Sequence, residues 1–173
     1  MDVSLPQAYL IGLLLLLGTA AVLVARQILR VRRDESALAR LEAQAKAGDK
    51  SAGDLYELAS VQLRKRLYGQ ATENLKLAAK RASGEPSEAQ ALIENALGFA
   101  LAAQSNYSGA IKHYRAALRA KSDYPVALNN LAFAQEKLLN DAEAISLYEK
   151  TLSLEPNNVT AKKGLKKLKR RMG

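Results

Sequence analysis

His113 is the only histidine in the chain, and there is neither cysteine nor tryptophan. That composition removes disulfide frameworks, thiolate nucleophiles, Cys/His zinc sites and any triad that needs both Cys and His. The carboxylates show no recurrent metal-ligand spacing and no glycine-rich phosphate loop occurs, so calcium and nucleotide chemistry lack their ligands. His113 stands one residue before Tyr114 and is expected to face solvent or an adjacent repeat, not to act as a base. The remaining chemistry is non-covalent. The only two phenylalanines, Phe99 and Phe133, are each preceded four residues earlier by an asparagine, Asn95 and Asn129. An amide of that kind can hydrogen-bond a peptide backbone, and a ring can fill a partner's pocket. The chain reads as a binding protein without a cofactor, not as an enzyme.

Charge supplies the second chemical feature. The formal net charge is +9. Residues 1–50 carry 7 Lys/Arg and 5 Asp/Glu, residues 51–158 carry 12 of each, and residues 159–173 carry 7 Lys/Arg and no acid. A nucleic-acid binder spreads its basic side chains over a folded face, and no aromatic platform accompanies this run, so nucleic acid is not the expected partner. Lys162, Lys163, Lys166, Lys167, Lys169, Arg170 and Arg171 have two readings. They solvate the outer face of a last helix, or they touch anionic lipid or an acidic partner, at about 1 kcal/mol per residue near a lipid surface.

The elements that would position these groups begin with an apolar segment. Residues 3–25 contain no charge, and as a helix they span roughly 35 Å against about 30 Å of hydrocarbon. Pro6 falls in the first turn, where its missing N–H costs nothing. A cleaved signal peptide starts with a basic region; here only Asp2 precedes the run and Arg26 follows it. Residues 1–25 are therefore expected to be a permanent anchor. Arg26, Arg30, Arg32 and Arg33 flank its carboxyl side, with no Lys or Arg on the amino side. The positive-inside rule then leaves the amino terminus outside and the rest of the chain on the cytoplasmic or stromal side. Residues 26–51 read as a helical stalk or linker, with Leu38, Leu41 and Ala45 on one stripe.

Beyond the stalk the chain repeats itself. Residues 91–124 match residues 125–158 at 9 of 34 positions: Asn95/Asn129, Leu97/Leu131, Phe99/Phe133, Ala100/Ala134, Asn106/Asn140, Ala110/Ala144, Ile111/Ile145, Tyr114/Tyr148 and Leu118/Leu152. An earlier copy, residues 52–85, aligns at an offset of 39 through Leu58, Ala59, Tyr68, Ala71 and Ala78. Each copy reads as two helices, with small residues where the pair must approach closely. Asn157-Asn158 then offers an N-cap to a last helix over residues 159–173 whose Ala161, Leu165, Leu168 and Met172 share a face. With Leu97 and Leu131 turned to the core, Asn95, Phe99 and Ala102 share another face, as do Asn129, Phe133 and Glu136; Tyr56 and Ser60 are the counterparts in the first copy. The two phenylalanines either line a groove there or pack between neighbouring repeats.

Leu97-Gly98, Tyr107, Ala110, Tyr114, Ala117 and the 34-residue period resemble the tetratricopeptide repeat (TPR). Gln62, Leu101 and Gln135 stand where that motif has its first tyrosine, and only the last copy has the terminal proline, Pro156. The expected fold is all-α: a transmembrane helix, an α-solenoid of three TPR hairpins (52–85, 91–124, 125–158) and a basic capping helix. The resemblance implies extended peptides bound along the first helices, with Tyr56, Asn95, Phe99, Asn129 and Phe133 as groove residues. Chaperone-tail-binding members clamp a carboxylate with Lys and Arg; Tyr56, Ser60, Ala96, Val126 and Asn130 do not reproduce that clamp.

The full layout resembles one family more closely. Met1-Asp2-Val3-Ser4-Leu5-Pro6, Gly18-Thr19-Ala20-Ala21, Arg26-Gln27-Ile28-Leu29-Arg30-Val31-Arg32-Arg33, Leu128-Asn129-Asn130-Leu131 and Glu155-Pro156-Asn157-Asn158 are similar to the small thylakoid TPR protein of cyanobacteria and algal plastids. That resemblance implies a single-pass thylakoid protein whose partners are photosystem I subunits or assembly intermediates. The rival reading is a generic membrane-anchored adaptor for protein export or envelope biogenesis in a non-photosynthetic bacterium.

Overall fold

A computed structural model of the chain describes residues 5–47 and 50–172, apart from the side chains of residues 5, 6, 8, 34, 42, 44–47 and 172. The expectations placed on residues 1–4 and on the side chains of Pro6, Ala45 and Met172 lie outside the described residues. Helices account for the described elements: α1 (Leu5–Ala47), α2 (Ala52–Arg64), α3 (Tyr68–Arg81), a 3-10 turn (Ala82–Gly84), α4 (Ser87–Ala103), α5 (Tyr107–Ala120), α6 (Pro125–Lys137), α7 (Asp141–Leu154) and α8 (Val159–Met172). The second copy's first helix thus starts at Ser87, ahead of the boundary at residue 91 that the repeat alignment predicts.

Local chemistry sets the starts. Ser51 and Asp54 form a reciprocal capping box: the Asp54 N–H donates to Ser51 Oγ at 3.1 Å and the Ser51 N–H donates to Asp54 Oδ2 at 3.0 Å, satisfying two donors that a helix start leaves open. Asn106 and Asn158 each accept a backbone N–H three residues on, from Gly109 and Ala161, at 3.0 Å. The turns inside the hairpins share one geometry. Arg66, Ser105 and Leu139 have φ of 59°, 62° and 62°, and the N–H that follows each returns to the carbonyl five residues back, Leu67 to Gln62, Asn106 to Leu101 and Asn140 to Gln135, all at 2.9 Å. This is a Schellman-type closure, built three times without glycine.

Packing makes the hairpins a solenoid. Leu55 and Ala59 of α2, Ala71 and Leu75 of α3, and Ile93 and Leu97 of α4 form one core; Ile111 and Tyr114 of α5 join Leu131 and Ala134 of α6 in another. Tyr148 of α7 closes on Ala161, Leu165 and Leu168 of α8. Each second helix is thus sandwiched between the first helix of its own copy and that of the next, and each leucine so buried contributes about 1.5–3 kcal/mol. The helix α8 takes the place of a first helix, so the last hairpin is covered. At the other end, Leu41 (6% exposed) of α1 packs with Leu58 and Val61 of α2, supported by Ala37 and Leu38. Residues expected as a stalk therefore continue α1 through to the array. Ala37 and Leu41 stand 34 residues before Ala71 and Leu75, so this end of α1 fills the role of a preceding second helix.

Candidate functional site

The first helices form the crowded wall. α2 touches α4, α4 touches α6 and α6 touches α8, whereas the second helices make no comparable contact with one another among the described residues. A stack that is tighter along one row of helices curves around that row, which places α2, α4 and α6 on the inner side. Phe99 and Phe133 are both 43% exposed on this wall. The ring of Phe133 meets Tyr107 edge-on, with centroids 6.3 Å apart, and the Lys137 ammonium sits 5.2 Å above its centre. Leu92 and Val126, seven residues before each phenylalanine, are exposed too; a spacing of seven keeps them on the same helix face. Leu92, Phe99, Val126 and Phe133 thus make a wet apolar row that the sequence reading identified only at its two rings. The i, i+7 spacing was the signal that reveals the other two. In the first copy Ser60 stands where Phe99 and Phe133 do, and it is tied to its own helix through the Tyr56 carbonyl at 2.7 Å.

The asparagines are placed differently from the rings. Asn95 accepts from Asn130 Nδ2 at 3.0 Å and donates to the Tyr124 hydroxyl at 3.4 Å. Asn129 is buried, and its amide donates to Asn158 Oδ1 at 3.1 Å. Both therefore tie one first helix to the next. Asn129 Oδ1 is buried without a hydrogen-bond partner among the described residues. Tyr124 is a participant that the sequence reading did not single out: burial first, then Tyr56 nearby, push its phenol above the ordinary tyrosine value, and the Asn95 bond opposes the shift. Tyr56 of α2, Asn95 of α4 and Tyr124 at the start of α6 thereby gather on the wall. A hollow of about 180 Å³ opens beside them between Tyr56, Ala89, Leu92 and Ile93.

The remaining predicted residues lie elsewhere. His113 Nδ1 is 2.7 Å from Glu94 Oε2, so it pairs α5 with α4 inside one hairpin instead of facing solvent or an adjacent repeat. Among the described residues no group of three His, Cys, Asp or Glu gathers as metal ligands would. In the basic tail Lys167 pairs with Glu136 and Arg171 with Asp141, which lash α8 to α6 and α7; Lys162 reaches Asn157 Oδ1 at 3.2 Å. Lys163, Lys166, Lys169 and Arg170 are exposed. Arg26, Arg30, Arg32 and Arg33 are exposed along α1, just past its apolar stretch. Within α1 a window is long and apolar enough to cross a membrane, and none of it is buried against the repeats.

This arrangement presents an open wall with apolar and hydrogen-bonding side chains, as a protein-interaction scaffold does. The TPR repeat family matches residues 95–138. The first TPR domain of Spaghetti (RPAP3), solved bound to an HSP90 peptide, superposes with a TM-score of 0.65 at 21% identity, covering 70% of this chain and 93% of that one. The tetratricopeptide repeat domain-containing protein PYG7, chloroplastic, of Arabidopsis thaliana is 32% identical over 93% of this chain and 53% of its own length; the chain spans about half of that relative. The protein ycf37 of Cyanophora paradoxa is 36% identical over 70% of this chain and 69% of its own length. With that identity over two thirds of ycf37, the chain, which is similar to the chloroplastic PYG7 as well, belongs to the ycf37 family of tetratricopeptide repeat proteins.

Proposed function

We propose that the chain is a thylakoid-anchored scaffold, without catalytic activity of its own, which holds an extended segment of a photosystem I subunit or assembly intermediate along the inner wall of its repeats. The observation that carries this reading is the exposed apolar row Leu92, Phe99, Val126 and Phe133 on the first helices. Four large apolar side chains in water on one wall lower the free energy only when something covers them. Phe99 and Phe133 are the anchors, Tyr56 bounds the wall, and Asn95 and Asn129 hold its helices in register with their amides at the groove's floor. Two features support the membrane anchor: the unburied apolar span of α1 and the arginines after it, which favour repeats on the cytoplasmic or stromal side. The resemblance to thylakoid TPR proteins and the chloroplastic name of the Arabidopsis relative favour a photosynthetic membrane over export or envelope biogenesis.

The test is affinity isolation of the tagged full chain from detergent-solubilised membranes. Photosystem I subunits are expected to accompany the wild type. The double variant Phe99→Ala with Phe133→Ala should lose them, each buried anchor contributing about 1–2 kcal/mol or more at such an interface, while the melting temperature changes little. Undiminished capture by the double variant, or a collapse of its melting temperature, would sink the groove assignment. Normal photosystem I accumulation in a deletion strain under every light regime would sink the partner.

A further inference from the structure

The array has two edges, and the helix directions decide which one faces the membrane that holds α1, given the anchor reading of that helix. α1 and α2 run antiparallel: Glu35 pairs with Lys65, Arg30 and Val31 share a hollow with Arg64 and Lys65, and further along α1 Leu41 packs with Leu58 and Val61. The start of α2 is therefore far from the apolar span and its end is near it. Direction then alternates along the chain, so the turns between α2 and α3, α4 and α5, and α6 and α7 all lie on the anchor side, together with the carboxyl end of α8. Contacts along this edge agree with that order. Gln104 at the end of α4 donates to the Tyr68 carbonyl at the start of α3, Tyr107 meets Phe133, and Arg171 pairs with Asp141.

Height follows from helix geometry. Arg64 and Lys65 share a hollow with Gln27, Arg30, Val31 and Glu35 of α1. At 1.5 Å per residue, Val31 stands roughly 8 Å beyond Arg26, where the apolar stretch ends. A headgroup layer is roughly 5–8 Å thick on each side of the hydrocarbon, and the Debye length is about 8 Å at physiological salt. The near edge is thus within electrostatic reach of the lipid surface. The far edge, one helix length away, is about 20 Å further out.

Charge is divided to match. The near edge carries Arg64, Lys65, Arg66, Lys137, Lys167, Lys169, Arg170 and Arg171; its acids among the described residues, Glu35, Glu136, Asp141 and Glu143, are each paired with a cation, Lys65, Lys167, Arg171 and Arg115 in turn. The far edge is mixed, with Asp54, Glu85, Glu88, Asp123 and Glu155 among Lys50, Lys80, Arg81, Arg119, Lys121 and Lys162. Between the near-edge cations, Leu138 and Leu139 protrude, Leu139 with 75% of its surface exposed. A leucine pair flanked by cations is the chemistry of a headgroup contact. We propose that the repeat array lies lengthwise on the anionic lipid surface of its own membrane, with the Arg66, Leu139 and Arg170 edge down, so that its peptide wall runs parallel to the bilayer.

The chain has no cysteine, so Leu139→Cys and, on the far edge, Ser122→Cys each accept a single fluorophore in the full chain. The labelled proteins are placed in nanodiscs of phosphatidylcholine, with and without phosphatidylglycerol. The expected result is loss of quenching by aqueous iodide at position 139 in the anionic discs alone, with position 122 quenched throughout; Lys169→Glu with Arg170→Glu should restore quenching at 139. A probe at 139 that remains quenched in anionic discs overturns the proposal and leaves the basic edge to an acidic protein. Protection that is equal in the uncharged discs overturns the electrostatic contact. A chain that elutes apart from the discs overturns the anchor itself, a failure separate from the other two.

Discussion

Tyr114 packs against Gly98 so closely that a Cβ there would fall 2.6 Å from two ring carbons. Tyr148 makes the same approach to Gly164 of α8, at 2.4 Å. The burial shows in how these phenols titrate. It pushes Tyr114 well above the usual tyrosine range, and burial followed by the Glu136 carboxylate pushes Tyr148 up to about 12. A raised folded value means that the neutral phenol is the native form. Unfolded tyrosine ionises near pH 10, so the contribution of these rings to stability is intact below about pH 10 and is lost as pH rises from there towards 12. We expect denaturant midpoints to fall over that window. Tyr148→Phe should flatten the fall while keeping the ring against Gly164, and an unchanged slope would show that other groups govern alkaline unfolding.

At the scale of elements, the three hairpin turns were illegible in the sequence. Turns that need a left-handed residue advertise themselves by glycine or asparagine, but Arg66, Ser105 and Leu139 occupy those positions. A non-glycine residue there costs about 1–2 kcal/mol, offset by the backbone closure and the helix packing on either side. Ser105→Gly should therefore raise stability by about 0.5–1 kcal/mol, less the added entropy of the unfolded chain. Chemical denaturation of the single variant checks it, and a loss of stability would mean that the Ser105 side chain supports the turn. The helix starts, in contrast, were legible where a side chain satisfies the backbone: Asn158 caps α8 because its acceptor oxygen takes up an otherwise open N–H.

For the whole molecule, the junction between α1 and α2 matters most. A linear array passes stability only between neighbours, so the end that joins the apolar span is also the end that protects the first hairpin. Replacing Leu41 by Asp puts an unpaired charge against Leu58 and Val61. Hydrogen exchange should then quicken in α2 and α3 and stay unchanged in α6, α7 and α8. Uniform acceleration would mean that the repeats unfold as one unit, and no change would mean that α1 adds nothing to the array.

The sequence by itself determined the helical class, the 34-residue repeat, the apolar span and the basic last helix, because each is a matter of periodicity or composition along the chain. It also marked Phe99 and Phe133 as equivalent, without deciding whether they face a groove or a core. Tertiary structure decided what depends on the neighbours of each face. It left both rings 43% exposed, engaged Asn95 and Asn129 between first helices, turned His113 to Glu94 and docked the stalk onto α2. A helical period says which side chains share a face, but only the packing of one helix on the next says whether that face is buried, bonded or left to a partner.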